Sequence, residues 1–439
     1  MRSLSYGELI RGNRYFRYLL AGQFISELGN WFNFIAGLGL VRLVSDASPT
    51  AAGLFFVARL IPFAFASPFA GTFVDRFSRR EVMIVTDIAR AVVALSFLLV
   101  TRPEDLWIAY IATILLHTFG AFFDGAKNAT APNLTGQEGL LAGTALLFST
   151  RFLLMAVGSA LGGWAAAVFG YKVAFLINAA SFLISAYTVW VIPEEATRDK
   201  ATANRMSSLA WWRKPAPIAY SDTEPSERGS RDSFLTELRE GMHYAVMNHF
   251  ALTILIMNVI WATGGGAVNI VFERIGGVHF AETEGWNPDV AVALLWTATG
   301  LGLSLGMIIA HRASIYVDRR RINHGFIGWS LIAHGLLFAG AAWMPNLWLF
   351  CVIVFASRLI IGVEYAIQET MFQRSLPDYI RGRISTLDRG AELTMFGLSS
   401  YIAAELMFYM TPHTLTFLSG VLSAFAGIVW FIREKPEER

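Results

Sequence analysis

One cysteine among 439 residues, Cys351, excludes an internal disulfide and any cysteine-based metal cluster. Charge is scarce as well: Asp, Glu, Lys and Arg make up 15% of the chain, with a net charge of +2. The eight histidines are scattered, none at the HExxH spacing of a zinc hydrolase, and no P-loop for nucleotide phosphates is found. No nucleophile–base pair emerges. The chain is therefore not expected to be an enzyme, to hold a metal or cofactor, or to bind nucleic acid. Apolar surface is what abounds, with 55% hydrophobic residues and a mean hydropathy of +0.49. In water that much apolar surface aggregates, whereas facing lipid it is stable.

About 20 apolar residues in a helix cross the ~30 Å hydrocarbon layer, and twelve such spans are predicted. The first six run Phe16–Val44, Thr50–Phe73, Val82–Val100, Leu106–Ala126, Leu140–Phe169 and Val173–Ile192. The second six run His249–Phe272, Val290–Ala310, Gly325–Met344, Leu347–Phe372, Ile384–Met410 and Leu415–Ile432. All are expected to be helical, because a lipid-exposed chain has to satisfy its backbone hydrogen bonds internally. Barrel strands are excluded by the continuity of the runs. The first run is longer than a signal h-region and lacks a small-residue cleavage site, so it is expected to be retained. Arg11, Arg14 and Arg17, Arg79 and Arg80, Arg319 to Arg321, and Arg381 and Arg383 all fall in loops or at span ends on one side. The positive-inside rule makes that side, with both termini, cytoplasmic and the protein a multi-pass component of the cell membrane.

Residues 193–247 form the one long polar interruption, dividing 1–192 from 248–439. The Ser-, Thr- and Pro-rich part, to about Arg231, reads as a disordered linker. Next, Phe234, Leu238, Met242 and Ala245 recur at helical spacing. Two readings fit that spacing: an amphipathic helix on the inner membrane surface, or an N-terminal extension of the seventh span. Asp318-Arg319 stands 243 residues after Asp75-Arg76, and Pro377-Asp378 stands 245 after Pro132-Asn133. Two markers with nearly one offset indicate a duplicated six-helix unit, with a substrate cavity between the halves at the midplane.

Gly71-Thr-Phe-Val-Asp75-Arg76-Phe-Ser-Arg79-Arg80 resembles the G-x-x-x-D-R-x-x-R-R loop motif of the major facilitator superfamily. Ala174-Phe-Leu-Ile-Asn178-Ala-Ala-Ser181-Phe and Gln373-Arg374-Ser-Leu-Pro377-Asp378-Tyr-Ile-Arg381-Gly382-Arg383 are similar to segments of its third drug:proton antiporter family. Macrolide efflux pumps and enterobactin exporters belong there. The opening, Asn13-Arg-Tyr-Phe16-Arg and Ser26-Glu-Leu-Gly29-Asn30, is similar too. The resemblance implies an all-α polytopic membrane protein with twelve transmembrane helices in two pseudo-symmetric six-helix bundles. It also implies alternating access and proton antiport. Asp75 is expected to latch onto the start of the eleventh helix, at the positive end of its dipole, while Arg76, Arg79 and Arg80 contribute to the gate or to topology. One departure stands out. The fifth-helix antiporter motif G-x-x-x-G-P-x-x-G-G appears here as Leu154-Met-Ala-Val-Gly158-Ser159-Ala-Leu-Gly162-Gly163, with Ser159 in place of the kinking proline. Gly158, Gly162 and Gly163 are then expected to serve close helix packing.

Ionisable residues at membrane depth are costly, which makes each a functional candidate. Glu27 and Arg151 lie near the middles of neighbouring helices, so Glu27 is a candidate proton carrier and Arg151 its tuner or a contact for an anionic substrate; a permanent structural ion pair is the alternative. In the second half Arg358, Glu364 and Gln368 are candidates, the last two sharing a helical face expected to line the cavity. Asn30 is a candidate substrate contact. Arg59 and Asp124 rank lower, and Asp87 with Arg90 reads as a structural pair. The leading expectation is a monomeric secondary transporter, embedded in the lipid bilayer, that exports an amphipathic small molecule (a drug, a macrolide or a siderophore-like compound) in exchange for protons. The alternatives are a lipid or lysophospholipid flippase on the same fold, or a membrane receptor or accessory protein without transport.

Overall fold

A computed structural model describes residues 5–74, 77–197 and 234–435. Asp75, Arg76 and most of the linker lie outside those residues. Twelve long helices follow one another among the described residues. They are α1 (Arg14–Val44), α2 (Pro49–Val74), α3 (Arg79–Ser96), α4 (106–135), α5 (137–169) and α6 (Tyr171–Trp190), then α7 (His249–Arg274), α8 (Pro288–Arg320), α9 (Asn323–Gly340), α10 (Leu347–Ser375), α11 (Asp378–Leu406) and α12 (Pro412–Arg433).

Ten of these are long and apolar enough to cross a membrane. The other two, α1 and α11, are 31 and 29 residues long, ample at 1.5 Å per residue for a ~30 Å layer. Their interiors are more polar: α1 carries Gln23, Glu27, Asn30 and Asn33, and α11 carries Asp388, Arg389 and Glu392. Such helices survive at membrane depth when the polar stripe faces protein or an aqueous cavity.

The turn expected at Pro132-Asn133 comes a few residues later. Helical hydrogen bonding runs from Leu106 to Phe169 and breaks at Gly136, at φ 65° and ψ 177°. Only glycine adopts that conformation cheaply, so Gly136 alone is the hinge between α4 and α5. The segment before α7 is a separate helix, Phe234–Met247. It buries Ala245, pairs Glu240 with Arg383 of α11, and ends where Asn248 caps α7 by accepting from the Ala251 amide at 2.9 Å.

Packing repeats between the halves. In the first, α1 packs on α5 and α6, α3 on α4 and α6, and α2 on α4; in the second, α7 packs on α11 and α12, α9 on α10 and α12, and α8 on α10. The two bundles meet along α2–α11 and α5–α8. At the second crossing Gly300 of α8 lies so close that a Cβ would stand 2.5 Å from the Ala156 nitrogen of α5. On the side away from the chain termini, one apolar core runs through both bundles. On the termini side the apolar clusters stay within one bundle each. Among the described residues, apolar packing thus joins the two halves at one end and stays within each half at the other.

Candidate transport cavity and opposing gate

Between the halves lies a cavity of about 130 Å³. Glu27 and Asn30 reach it from α1, Arg59 from α2, Asp124 from α4, Arg151 from α5 and Arg389 from α11. Several of these groups are tied into polar chains. The Asn30 amide donates to Glu27 Oε2 at 3.2 Å, and its oxygen accepts from Arg90 at 3.1 Å; Arg90 in turn pairs with the buried Asp87 at 3.1 Å. Lys127 pairs with Asp124 at 2.5 Å, and Arg389 with Glu392 at 2.7 Å. Arg59 and Arg151 have no carboxylate partner among the described residues. Arg59 lies over the Phe34 ring, 4.1 Å from its centre, and meets His117 Nε2 at 3.4 Å. The side-chain oxygens of Gln23 and Asn33 line the same space, buried and without a donor among the described residues.

Away from the termini the cavity is closed in two layers. The inner layer is aromatic: Trp296 of α8 packs against Trp31 and Phe34 of α1 and Phe272 of α7, with centroids 5.8, 5.2 and 5.4 Å away. Beyond it lies a buried ion cluster between the halves. Arg42 at the end of α1 reaches Glu273 of α7 at 3.0 Å and also pairs with Asp289 of α8. Tyr171 donates to Asp289 at 2.9 Å, Arg274 donates to the Ala47 carbonyl at 2.5 Å, and Thr50 donates to Glu405 at 2.9 Å. Every one of these bonds joins one half to the other.

Sequence reasoning missed this gate. Asp289 follows Asn287-Pro288 and reads as an ordinary helix-start residue, while Arg42 and Glu273 sit at span ends where solvated charge is common. Nothing local reveals that they meet.

The predicted site residues divide in two. Glu27, Asn30 and Arg151 line the cavity together, though no ion pair joins Glu27 to Arg151 in this state. Arg358, Glu364 and Gln368 do not line it. Glu364 and Gln368 share a face as their spacing indicates, but the rotation of α10 turns that face into the second bundle. There the Gln368 amide donates to Asn258 of α7 at 2.8 Å, and Asn258 donates to both Asp388 oxygens at 3.0 Å. Arg358 lies buried over Phe338, 5.6 Å from the ring centre.

Of the loop motif, Gly71 lies within α2, and Asp75 and Arg76 fall outside the described residues, as does the expected latch. Arg79 donates to the Ala129 carbonyl at 2.7 Å, and Arg80 to those of Ile192 at 2.8 Å and Trp190. Both arginines therefore bind backbone carbonyls of their own half. The antiporter-motif glycines pack helices: a Cβ at Gly158 would stand 2.8 Å from the Trp31 side chain, one at Gly162 would press on the Phe32 backbone at 3.1 Å, and Gly163 faces Ala293 of α8. Ser159 turns its hydroxyl back to the Met155 carbonyl at 2.5 Å and meets Thr297 of α8 at 3.2 Å.

The architecture has known counterparts. The family profile of the Major Facilitator Superfamily matches residues 19–388. The uncharacterized MFS-type transporter YfiS of Bacillus subtilis (strain 168) is 24% identical, over 98% of this chain and 95% of its own. Macrolide efflux protein A of Streptococcus pyogenes is 22% identical, over 85% and 84%. The putative bacilysin exporter BacE of B. subtilis (strain 168) is 28% identical over 39% and 43%. Among solved structures, the nucleoside transporter NupG superposes with a TM-score of 0.68 at 13% identity, covering 96% of this chain and 100% of that one. A bacterial homologue of the iron transporter ferroportin in an inward-facing state gives 0.63 at 16%, covering 95% and 98%. Twelve long helices among the described residues, two repeated bundles and a cavity between them carry the same conclusion as the family match: this chain is a multi-pass membrane transporter, not an enzyme, and belongs to the Major Facilitator Superfamily.

Proposed function

We propose that the protein is a secondary active exporter of an amphipathic small molecule, working by alternating access as a monomer in the cell membrane with both termini in the cytoplasm. The observation that carries this reading is the asymmetry of the cavity. Among the described residues the apolar clusters on the termini side stay within one bundle each, while aromatic stacking and buried ion pairs between the halves seal it on the other. That is one half of a rocking cycle, in which breaking the seal and closing the opposite end moves the site across the membrane. Efflux-type names among the relatives support export. Charged and polar groups beside Phe63 and Phe123 in the wall favour an amphipathic cargo over a whole lipid, which would call for a mostly apolar, laterally open cavity.

Glu27 is the proton carrier in this proposal, and coupling is antiport. It is the cavity carboxylate that takes no cation in this state, its only hydrogen-bond donor among the described residues being Asn30. Its environment changes each time the cavity opens to a new side. Cells with and without the protein, loaded with a macrolide, a siderophore or a labelled lysolipid, test the reading. Export predicts lower accumulation of one cargo in expressing cells, abolished by an uncoupler. Flux of lysolipid alone would favour the flippase, and unchanged accumulation of every cargo would sink transport in favour of a receptor role.

A further inference from the structure

Five cationic side chains line the cavity with two carboxylates. Three of the cations are neutralised at close range, Arg90 by Asp87, Lys127 by Asp124 and Arg389 by Glu392. That leaves Arg59 and Arg151 with no ion-pair partner among the described residues and Glu27 as the lining carboxylate not already paired, so the lining and its ion-pair partners carry one positive charge in excess. An uncompensated cation at membrane depth is costly, more so for the half-buried Arg59 than for the exposed Arg151, and a mobile anion relieves it. A guanidinium presents its N–H groups as a planar fork that matches carboxylate or phosphate oxygens. Most of that fork is free here: Arg59 spends one contact on His117, its face resting on Phe34, and Arg151 makes no hydrogen bond to the described residues.

We infer that the exported molecule carries an anionic group, a carboxylate or a phosphate, which Arg59 and Arg151 hold from α2 and α5 while its apolar body lies against Phe63, Phe123 and Leu393. Those three side chains line the same cavity, Leu393 from the opposite bundle. The inference rests on reading this cavity as the transport site. It also fits a cell interior that is electrically negative, because each negative charge moved outward gains ~2.3 kcal/mol per 100 mV of membrane potential.

The test is equilibrium binding to the purified full-length protein in nanodiscs, with three probes that share one ring system: naphthoate, naphthyl phosphate and naphthylmethylammonium. The anions are expected to bind and the cation not; the better of the two anions identifies the headgroup. Arg59→Gln and Arg151→Gln should each weaken anion binding about tenfold or more, as loss of a charged hydrogen bond does. Charge selectivity in the unaltered protein stands even if either variant misfolds. A third variant separates the two readings. A Cβ at Gly120 meets nothing within 4 Å, and Gly120 lines the cavity, so Gly120→Trp fills it. If the cation binds, Gly120→Trp abolishes it and the arginine variants leave it intact, the anionic cargo is overturned while the cavity stands. If Gly120→Trp changes the binding of no probe, the cavity reading fails along with the proposal.

Discussion

Arg42 of α1 meets Glu273 of α7 at 3.0 Å, a buried ion pair between residues that stand in different bundles. Asp289 and Tyr171 complete the cluster, so removing the arginine leaves two buried carboxylates without an ion-pair partner among the described residues. Breaking such a pair from one side costs roughly 3–5 kcal/mol, and here the cost falls only on the state in which the halves touch. Arg42→Gln is therefore expected to open this end. Spin labels at the exposed Leu43 and Glu282 should give a longer and broader distance distribution in the variant than in the parent. An unchanged distribution would mean that the aromatic layer alone holds the gate.

Gly300 makes the same point without charge. Its absent side chain lets α8 touch the α5 backbone at Ala156. Gly300→Val inserts methyl groups where the facing atoms are main chain and cannot turn aside, and overpacking of this kind costs about 1–3 kcal/mol. The variant should populate the opposite-side-open state more than the parent, read by the same label pair. It should also unfold at a lower temperature.

Gln368, Asn258 and Asp388 link α10, α7 and α11 inside the second bundle, away from the cavity. Gln368→Leu leaves the Asn258 oxygen buried without its donor, at a cost of about 1–3 kcal/mol. The expected outcome is a lower melting temperature with the KM for cargo unchanged. A large rise in KM at unchanged stability would return Gln368 to the transport path.

Much of this was legible in the chain, and the reasons are physical. Lipid demands long apolar helices, so the spans announce themselves, and a duplicated unit leaves markers at one offset, as Asp75 and Asp318 do. Membrane charge is costly enough that Glu27, Arg151 and Asn30 stood out, and all three line the cavity. Direction within a bundle was less legible. The spacing of Glu364 and Gln368 defines a shared face but not the rotation of α10, which turns that face to α7. Contacts between bundles were least legible of all. Arg42, Glu273 and Trp296 lie in different helices, and only the docking of one half on the other brings them together.

Ser159 occupies the position where the antiporter motif carries proline. Its hydroxyl bonds to its own preceding turn and to Thr297 across the interface. Proline there removes the backbone donor and sets its ring against the carbonyl one turn back, at about 3 kcal/mol or more in a helix interior. Ser159→Pro should accordingly lower the melting temperature by far more than Ser159→Ala, whose loss is a hydrogen bond worth about 1 kcal/mol. Equal effects of the two substitutions would indicate that α5 tolerates the family's kink unaided.

Glu27 sits at the meeting point of both proposals. As a proton carrier it has to gain and lose a proton as the cavity changes sides; as a fixed negative charge beside Arg59 and Arg151 it competes with an anionic cargo for the same guanidinium groups. Glu27→Gln removes the carboxylate and keeps the hydrogen-bonding shape next to Asn30. In proteoliposomes with an imposed pH gradient, the variant should lose gradient-driven accumulation while retaining downhill exchange of cargo. Its affinity for naphthoate should rise a few-fold, since an opposing charge in a medium of low dielectric has been taken away. Full gradient-driven transport by Glu27→Gln would remove the coupling role. A tighter anion in that same variant would still leave Arg59 and Arg151 as the cargo site.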